Sequence, residues 1–218
     1  MAGGPTVVDP WAEVVQLWRG TDSMKPVPRS FVRLLLILGL RRGEAAAALW
    51  SNVHLESVRT VDGREVPAFW HIPAEVRKGR VAGSAGERRA LDVPLPALAV
   101  RILLSLREAN AGGDLVFPHL WLGGIGAMLR EHAGIADLRI HDLRRSAASA
   151  IQSLGAPPHV LSAVLGHVEQ GGADSDQHYT HGSRFAEHHL WLDRWAAKLE
   201  QLIADARPSD VASSTEPH

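Results

Sequence analysis

The run Phe31–Leu40 is the most apolar in the chain, and Arg33 is its one charged residue. It is too short to cross a bilayer, for which about 20 apolar residues are needed. We therefore expect a buried helix, with Ser30 as a possible N-cap and an interruption at Gly39. The N-terminus lacks the basic and apolar segments of a secretory signal, so the sequence predicts a soluble protein.

The composition is that of a globular chain, and it excludes several kinds of site. The 218 residues are 45% hydrophobic and 22% charged, which fits one large domain, or one domain with a short appendage. The absence of cysteine excludes a disulfide scaffold, a thiolate zinc site and a cysteine nucleophile, and it fits a reducing cytoplasm. The formal net charge of −1 does not indicate nucleic-acid binding, which would need a local basic face.

Hydrophobic patterning predicts an α+β protein that is mostly α, with one small three-stranded antiparallel sheet. Residues 1–28 are predicted to be a leader with a short helix, 29–206 the globular domain and 207–218 a disordered tail. Hairpin-linked strands are predicted at Leu49–Leu55, Pro67–Pro73 and Arg89–Val93. Further helices are predicted at Glu44–Leu49, Ala97–Ala109, Trp121–Gly134, Asp142–Leu154, Pro157–Leu165 and Phe185–Ala206.

Two arginine-containing motifs suit the binding of an anion. His141 and Arg144 are three residues apart at a predicted helix start, where free N–H groups add partial positive charge. Arg41 follows the apolar helix, and its planar fork can donate two parallel hydrogen bonds to phosphate oxygens. Glu44 is placed to orient an arginine. The alternatives are a solvated basic helix start and an Arg–Glu surface pair.

Three further residues indicate a function only when they are considered together with the arginine motifs. Lys78 lies at the tip of a predicted hairpin, where it can act as a point charge or proton donor, and an exposed basic turn is the alternative. His167 alone would more often be a structural histidine. Tyr179 is the only tyrosine in the chain, where typical usage predicts several.

Together these motifs resemble the catalytic domain of the tyrosine recombinases, the phage-integrase family, in both order and spacing. The resemblance runs from about Ser30 to Ala206. The stretch Asp174–Trp195 is more similar to integrases of genomic islands and temperate phages than to cell-division resolvases. The matching motifs are Gly39–Glu44, Lys78, His141–Arg145, Leu165–His167 and Tyr179.

The resemblance implies a site-specific DNA recombinase that forms a 3′-phosphotyrosyl intermediate without a metal or other cofactor. It implies the catalytic residues Arg41, Lys78, His141, Arg144, His167 and Tyr179, with Glu44 supporting them. DNA contacts are expected from the basic residues Arg77, Arg80, Arg88, Arg89, Arg139 and Arg145. Four nearby histidines are an alternative basis for a metal site, although no carboxylate or cysteine completes a set: His178, His181, His188 and His189.

The resemblance also implies partners. Double-stranded DNA is the expected substrate, with a homotetramer on DNA, a monomer in isolation and no membrane association. Too few residues precede Ser30 for the family's DNA-clamping domain, so we expect either an excised catalytic fragment or a truncated relative. The helix Phe185–Ala206 would pack on a neighbouring protomer or on its own domain. A non-catalytic integrase remnant and a topoisomerase of the same chemistry are the alternative functions.

Overall fold

The apolar run forms the central helix of the protein. The computed structural model describes residues 10–59, 65–77, 90–110, 112–166 and 183–206. The central helix, α2, spans Pro26–Leu38, and its residues 34–38 are all buried. It begins at Pro26 and not after Ser30, because prolines are tolerated in a first turn, where the N–H groups lack helical partners. It ends at Gly39, whose φ of 63° gives a left-handed C-cap.

Seven further helices are described around α2. Four of them, α3, α4, α6 and α8, pack directly against it, and α1 packs against α5, α6 and α8. Val14, Leu17 and Trp18 of α1 are buried in the common core. The predicted leader helix is therefore part of the core. The ranges are α1 (Pro10–Gly20), α3 (Arg42–Ala46), α4 (Ala97–Ala109), α5 (Ile125–Ala133), α6 (Ile140–Ser153), α7 (Pro158–Val164) and α8 (Ser183–Asp205).

The predicted three-stranded antiparallel sheet is confirmed. It consists of β1 (Val53–His54), β4 (Phe69–Ile72) and β5 (Leu91–Pro94), with β4 in the middle. Trp70 lies opposite Val53 on one side and Val93 on the other, and all three side chains are buried. A second, unpredicted sheet pairs β2 (Val58–Arg59) with β3 (Glu65–Val66) in antiparallel orientation.

Several predicted elements are shorter in the structure, and two of them lose four residues at their start. The helix predicted from Trp121 begins only at Ile125, because Gly123 and Gly124 disfavour helix and form a turn; Trp121 itself is 74% exposed. The strand predicted from Leu49 is reduced by a 3-10 helix at Trp50–Asn52. These changes lie outside the elements that carry the arginines discussed below.

The long helix α8 packs on its own domain. Leu192, Trp195 and Leu199 are fully buried, and Trp195 Nε1 donates a hydrogen bond of 3.1 Å to the carbonyl oxygen of Leu36 in α2. No helix among the described residues has the length and apolar character needed to span a membrane.

Candidate active site

Arg41 and Glu44 lie at the start of α3, just after the end of α2. Arg41 has an extended backbone just before α3, and Glu44 lies in the first turn of that helix. Arg41 Nη1 donates to Glu44 Oε1 at 2.9 Å. The Glu44 side chain is only 2% exposed, whereas Arg41 remains 31% exposed. The pair therefore differs from a surface ion pair: a buried carboxylate holds a guanidinium that solvent, or a ligand, can still reach.

Arg144 connects the start of α6 to two other segments. Its neighbours Leu143 and Ala147 are fully buried and fix this part of the helix in the core. Arg144 is itself 6% exposed. Its Nη1 donates to the carbonyl oxygen of Gly39 at 2.6 Å, and its Nη2 donates to the carbonyl oxygen of Leu165. Because a guanidinium has five N–H donors, these two bonds leave capacity for a ligand.

Arg77 points into the protein. Its Nη2 donates to the carbonyl oxygen of Gly166 at 2.7 Å, and its Nε lies 3.8 Å from Glu44 Oε1. The side chain is 10% exposed. This placement does not suit the DNA contact that the basic character of the hairpin predicted, since the guanidinium is directed toward protein partners.

These three arginines, Arg41, Arg77 and Arg144, form what we call the arginine cluster. Glu44 is the acidic partner of two of them. The pKa of Arg144 is lowered to about 10, mainly by burial and also by the positive charges of Arg41 and Arg77, while Glu44 acts in the opposite direction. Arg144 stays protonated at neutral pH. Among the described residues, three guanidinium groups surround one carboxylate, and an anionic ligand would stabilise this excess of positive charge.

The first turn of α6 presents further basic groups to solvent. The backbone N–H of Arg139 donates to Asp142 Oδ2 at 2.8 Å, and the N–H of Asp142 donates back to the carbonyl oxygen of Arg139 at 2.9 Å. Reciprocal bonds of this kind fix a helix start. His141 and Arg139 are exposed here, and the Arg145 side chain is 75% exposed, with Nη1 3.5 Å from Asp142 Oδ1. His141 therefore lies nearer the surface than Arg144.

Several predicted residues lie outside the described part of the chain, and their predicted roles stay predictions. They are Lys78, Arg80, Arg88, Arg89, His167, His178, Tyr179 and His181. Two of them directly follow described residues that touch each other: Arg77 precedes Lys78, Gly166 precedes His167, and Arg77 is hydrogen-bonded to Gly166. The structure thus brings into contact the two described residues, Arg77 and Gly166, that come directly before two candidate catalytic residues in the sequence.

Two of the four histidines considered for a metal site, His188 and His189, lie in the described helix α8. His188 is 1% exposed, and burial lowers its pKa to about 3. His189 Nε2 lies 3.4 Å from Asp193 Oδ2. Among the described residues, no three histidine or carboxylate side chains are grouped as a metal site requires.

The chain is similar to known proteins in both sequence and fold. Prophage integrase IntA of Escherichia coli (strain K12) is 27% identical over 158 residues, which cover 69% of this chain and 34% of that protein. The integrase from mycobacterium phage Brujita matches with a TM-score of 0.56 at 16% identity, over 93% of this chain and 65% of that one. XerA recombinase gives 0.54 at 18% identity, over 95% and 67%. The fold is that of a tyrosine recombinase catalytic domain.

A further match shows the same fold at lower coverage. It is lambda integrase, in a structure of a dimer bound to a COC′ core site, with a TM-score of 0.50 at 16% identity, over 73% of this chain and 56% of that one. No family model matches the chain. The chain spans about a third of the length of the prophage integrase it matches. The likeness to a prophage integrase agrees with the family resemblance of the motifs.

Proposed function

We propose that this chain is the catalytic domain of a site-specific tyrosine recombinase, which cleaves and rejoins DNA through a 3′-phosphotyrosyl intermediate. The arginine cluster carries this proposal. It combines an accessible arginine, Arg41, with a rigidly held one, Arg144, in a setting with excess positive charge. A phosphodiester is an anion whose transition state places more charge on its non-bridging oxygens. Fixed guanidinium groups stabilise that charge without having to reorganise.

Tyr179 would supply the nucleophile. Its Oη attacks the phosphorus, and the bond from phosphorus to the 5′ oxygen breaks, leaving DNA joined to the protein through its 3′ phosphate. Because an unperturbed tyrosine has a pKa of about 10, the proton needs an acceptor, and His141 takes that role. Lys78 protonates the departing 5′ oxygen, and His167 donates a hydrogen bond to the phosphate or steadies the tyrosine. These roles follow from the family resemblance.

The covalent intermediate determines what the reaction can do. A phosphotyrosyl bond retains the energy of the broken DNA linkage, so a free 5′ hydroxyl can reseal the strand without a cofactor or metal. Attack by a hydroxyl from another DNA molecule exchanges strands. The likeness to a prophage integrase and a phage integrase supports integration or excision of a phage or mobile element as the biological role.

The expected partners follow from this chemistry. Double-stranded DNA would approach the start of α6, where Arg139 and Arg145 are exposed, and the basic segment around Arg80, Arg88 and Arg89. We propose that the protein works in the cytoplasm at the nucleoid, as a homotetramer on DNA and a monomer without it.

A pool of nicked duplexes with a randomised core tests the proposal without knowledge of the recombination site. A nick close to the cleaved bond makes the fragment with the new 5′ hydroxyl short. That fragment diffuses away, so it cannot reseal the strand and the covalent intermediate is trapped. We expect an SDS-resistant protein–DNA adduct from a subset of sequences, which sequencing identifies. Strand exchange between two such sites supports a recombinase; relaxation of supercoiled plasmids without a specific site supports a topoisomerase. DNA binding with no adduct at any sequence supports a non-catalytic remnant and contradicts the proposal.

A further inference from the structure

Arg77 joins segments that are far apart in the sequence. It follows the turn after β4 and is the last described residue before Lys78. Its hydrogen bond to Gly166 connects residues 89 positions apart. Its Nε faces Oε1 of Glu44, the oxygen that also accepts the hydrogen bond from Arg41. One buried guanidinium therefore contacts both the acidic group that holds Arg41 and the end of α7.

The end of α7 is shaped to receive this guanidinium. Gly166 has a positive φ of 52°, and a Cβ built there would lie 2.9 Å from Arg77 Nη2 and 3.9 Å from Arg41 Nη1. A larger residue would push into Arg77. The preceding carbonyl oxygen, that of Leu165, accepts from Arg144. Successive carbonyl oxygens at the end of a helix, where the dipole is negative, are thus bound by two different arginines.

We propose that Arg77 is a positioning residue and not a DNA contact. It fixes the start of the segment that carries Lys78, and the residue before His167, against the Arg41–Glu44 pair. The inference rests on the proposed function, since that function gives Lys78 and His167 their roles. It adds that the described residue before each of them is tied to the Arg41–Glu44 pair: a shift of Arg77 displaces Gly166, Glu44 and Arg41 together.

The geometry requires arginine at this position. A guanidinium presents donors along two edges of a rigid plane, so it can face Glu44 and Gly166 at the same time. A lysine places one compact charge and can satisfy one of these partners well. Because the group is 10% exposed, weakened contacts are not readily replaced by water. Arg77→Lys therefore retains the charge but loses one of the two contacts, with Glu44 or with Gly166, that align these segments.

The test compares Arg77→Met and Arg77→Lys with two reference variants in the full chain. Arg145→Met removes an arginine with a 75% exposed side chain beside the proposed DNA surface. Arg101→Met removes one that pairs with Glu200 on α8, away from the site. For each variant we measure the single-turnover rate of adduct formation at saturating nicked DNA, the DNA Kd and its salt dependence.

A positioning role predicts a loss in rate and not in binding. Arg77→Met should lower the saturated rate by about 100-fold, the scale expected when reacting groups are misplaced by about 1 Å. Its Kd and salt slope should stay at the wild-type values, and Arg77→Lys should recover part of the rate. Arg145→Met should weaken binding and reduce the salt slope by about one. Arg101→Met should match wild type. An Arg77→Met protein that loses affinity and salt slope but keeps the wild-type saturated rate overturns the proposal.

Hydrogen exchange separates failure of this inference from failure of the proposed function. If the wild-type protein forms no adduct, the proposed function is contradicted. The positioning role of Arg77 is then tested by amide exchange at the end of α7, which it contacts. The amides of Leu165 and Gly166 are bonded to Leu161 and Ala163. They should exchange about tenfold faster in Arg77→Met than in Arg101→Met. Equal exchange in the two variants overturns the inference whether or not DNA is cleaved. If Arg77→Met does not fold, Arg77→Lys replaces it in both measurements.

Discussion

Arg144 donates a hydrogen bond of 2.6 Å to the carbonyl oxygen of Gly39 across 105 residues of sequence. Gly39 ends α2, and Arg41 follows two positions later. The bond therefore ties one proposed phosphate-binding arginine to the backbone that carries the other. Because both ends of the bond are held by the core, the distance between the two arginines is set by packing.

Arg144→Ala should nearly abolish cleavage and also destabilise the protein. One fixed donor to a developing negative charge contributes about 10²–10³ in rate. The carbonyl oxygens of Gly39 and Leu165 would lose their partner, at a cost of about 1–3 kcal/mol for each group left buried and unpaired. Adduct formation and urea unfolding measure the two effects separately. Arg144→Lys, which keeps the charge, should unfold at a higher urea concentration than Arg144→Ala, but its rate of adduct formation should remain far below wild type. A saturated rate within about threefold of wild type in either variant contradicts the assigned role.

Gly39→Ala should destabilise the fold where Gly43→Ala does not. Gly39 has a φ of 63°, and a Cβ there would lie 2.9 Å from Val164 Cγ1. We expect a loss of about 1–3 kcal/mol in the free energy of unfolding from the backbone strain. At Gly43, inside α3, nothing lies within 4 Å of an added Cβ, so alanine should be neutral or stabilising by about 0.4–1 kcal/mol. Equal effects at the two positions would show that the left-handed cap does not constrain the α2–α3 turn.

The helices around the site were largely predictable because their apolar periodicity is strong. α4 has the predicted bounds, Ala97–Ala109, and α6 and α8 differ from prediction by at most two residues at either end. Glu44 was predicted from its spacing to orient an arginine, and in the structure it accepts a hydrogen bond from Arg41. Helix bounds and the Arg41–Glu44 pair depend on contacts between residues close in sequence, and residue spacing predicts such contacts.

The inward direction of Arg77 was not predictable, because its partners come from distant parts of the chain. A run of basic residues around a hairpin has the same pattern whether each side chain faces DNA or the core. The contact of Arg77 with Gly166 spans 89 residues, and only the packed fold brings them together. The burial of Arg144 was not predictable for the same reason, because its partners Gly39 and Leu165 lie in distant parts of the chain.

Inorganic phosphate should stabilise the protein through the arginine cluster. A ligand that binds only the folded state adds about 2.7 kcal/mol at 100 times its Kd. Thermal unfolding in phosphate, compared with chloride at the same ionic strength, measures the effect. Arg41→Ala should reduce it strongly, since Arg41 is the more accessible arginine, while Arg101→Ala should not. An undiminished phosphate effect in Arg41→Ala would place the anion elsewhere.

His188 should make the fold sensitive to acid. Burial lowers its pKa from 6.5 to about 3, so below pH 6.5 the unfolded state binds a proton that the folded state does not. Stability therefore falls as the pH drops from 6.5 toward 3, by about 2 kcal/mol at pH 5. Urea unfolding at pH 7 and pH 5 should show a smaller loss in His188→Leu than in wild type. His159→Leu, on the surface of α7, is the matched control. The same loss in His188→Leu and wild type would contradict a buried neutral imidazole.

The identity of the nucleophile tests the central claim most directly. Wild-type protein is incubated with the nicked DNA that traps the intermediate. The adduct is digested with protease and nuclease, and the modified peptide is sequenced by mass spectrometry. Because the chain contains one tyrosine, a phosphotyrosyl link can form only at Tyr179. We predict a nucleotide attached through its 3′ phosphate to Tyr179, and no adduct from Tyr179→Phe, which should bind DNA and unfold like wild type. An adduct on another residue, or one that persists in Tyr179→Phe, would contradict the account.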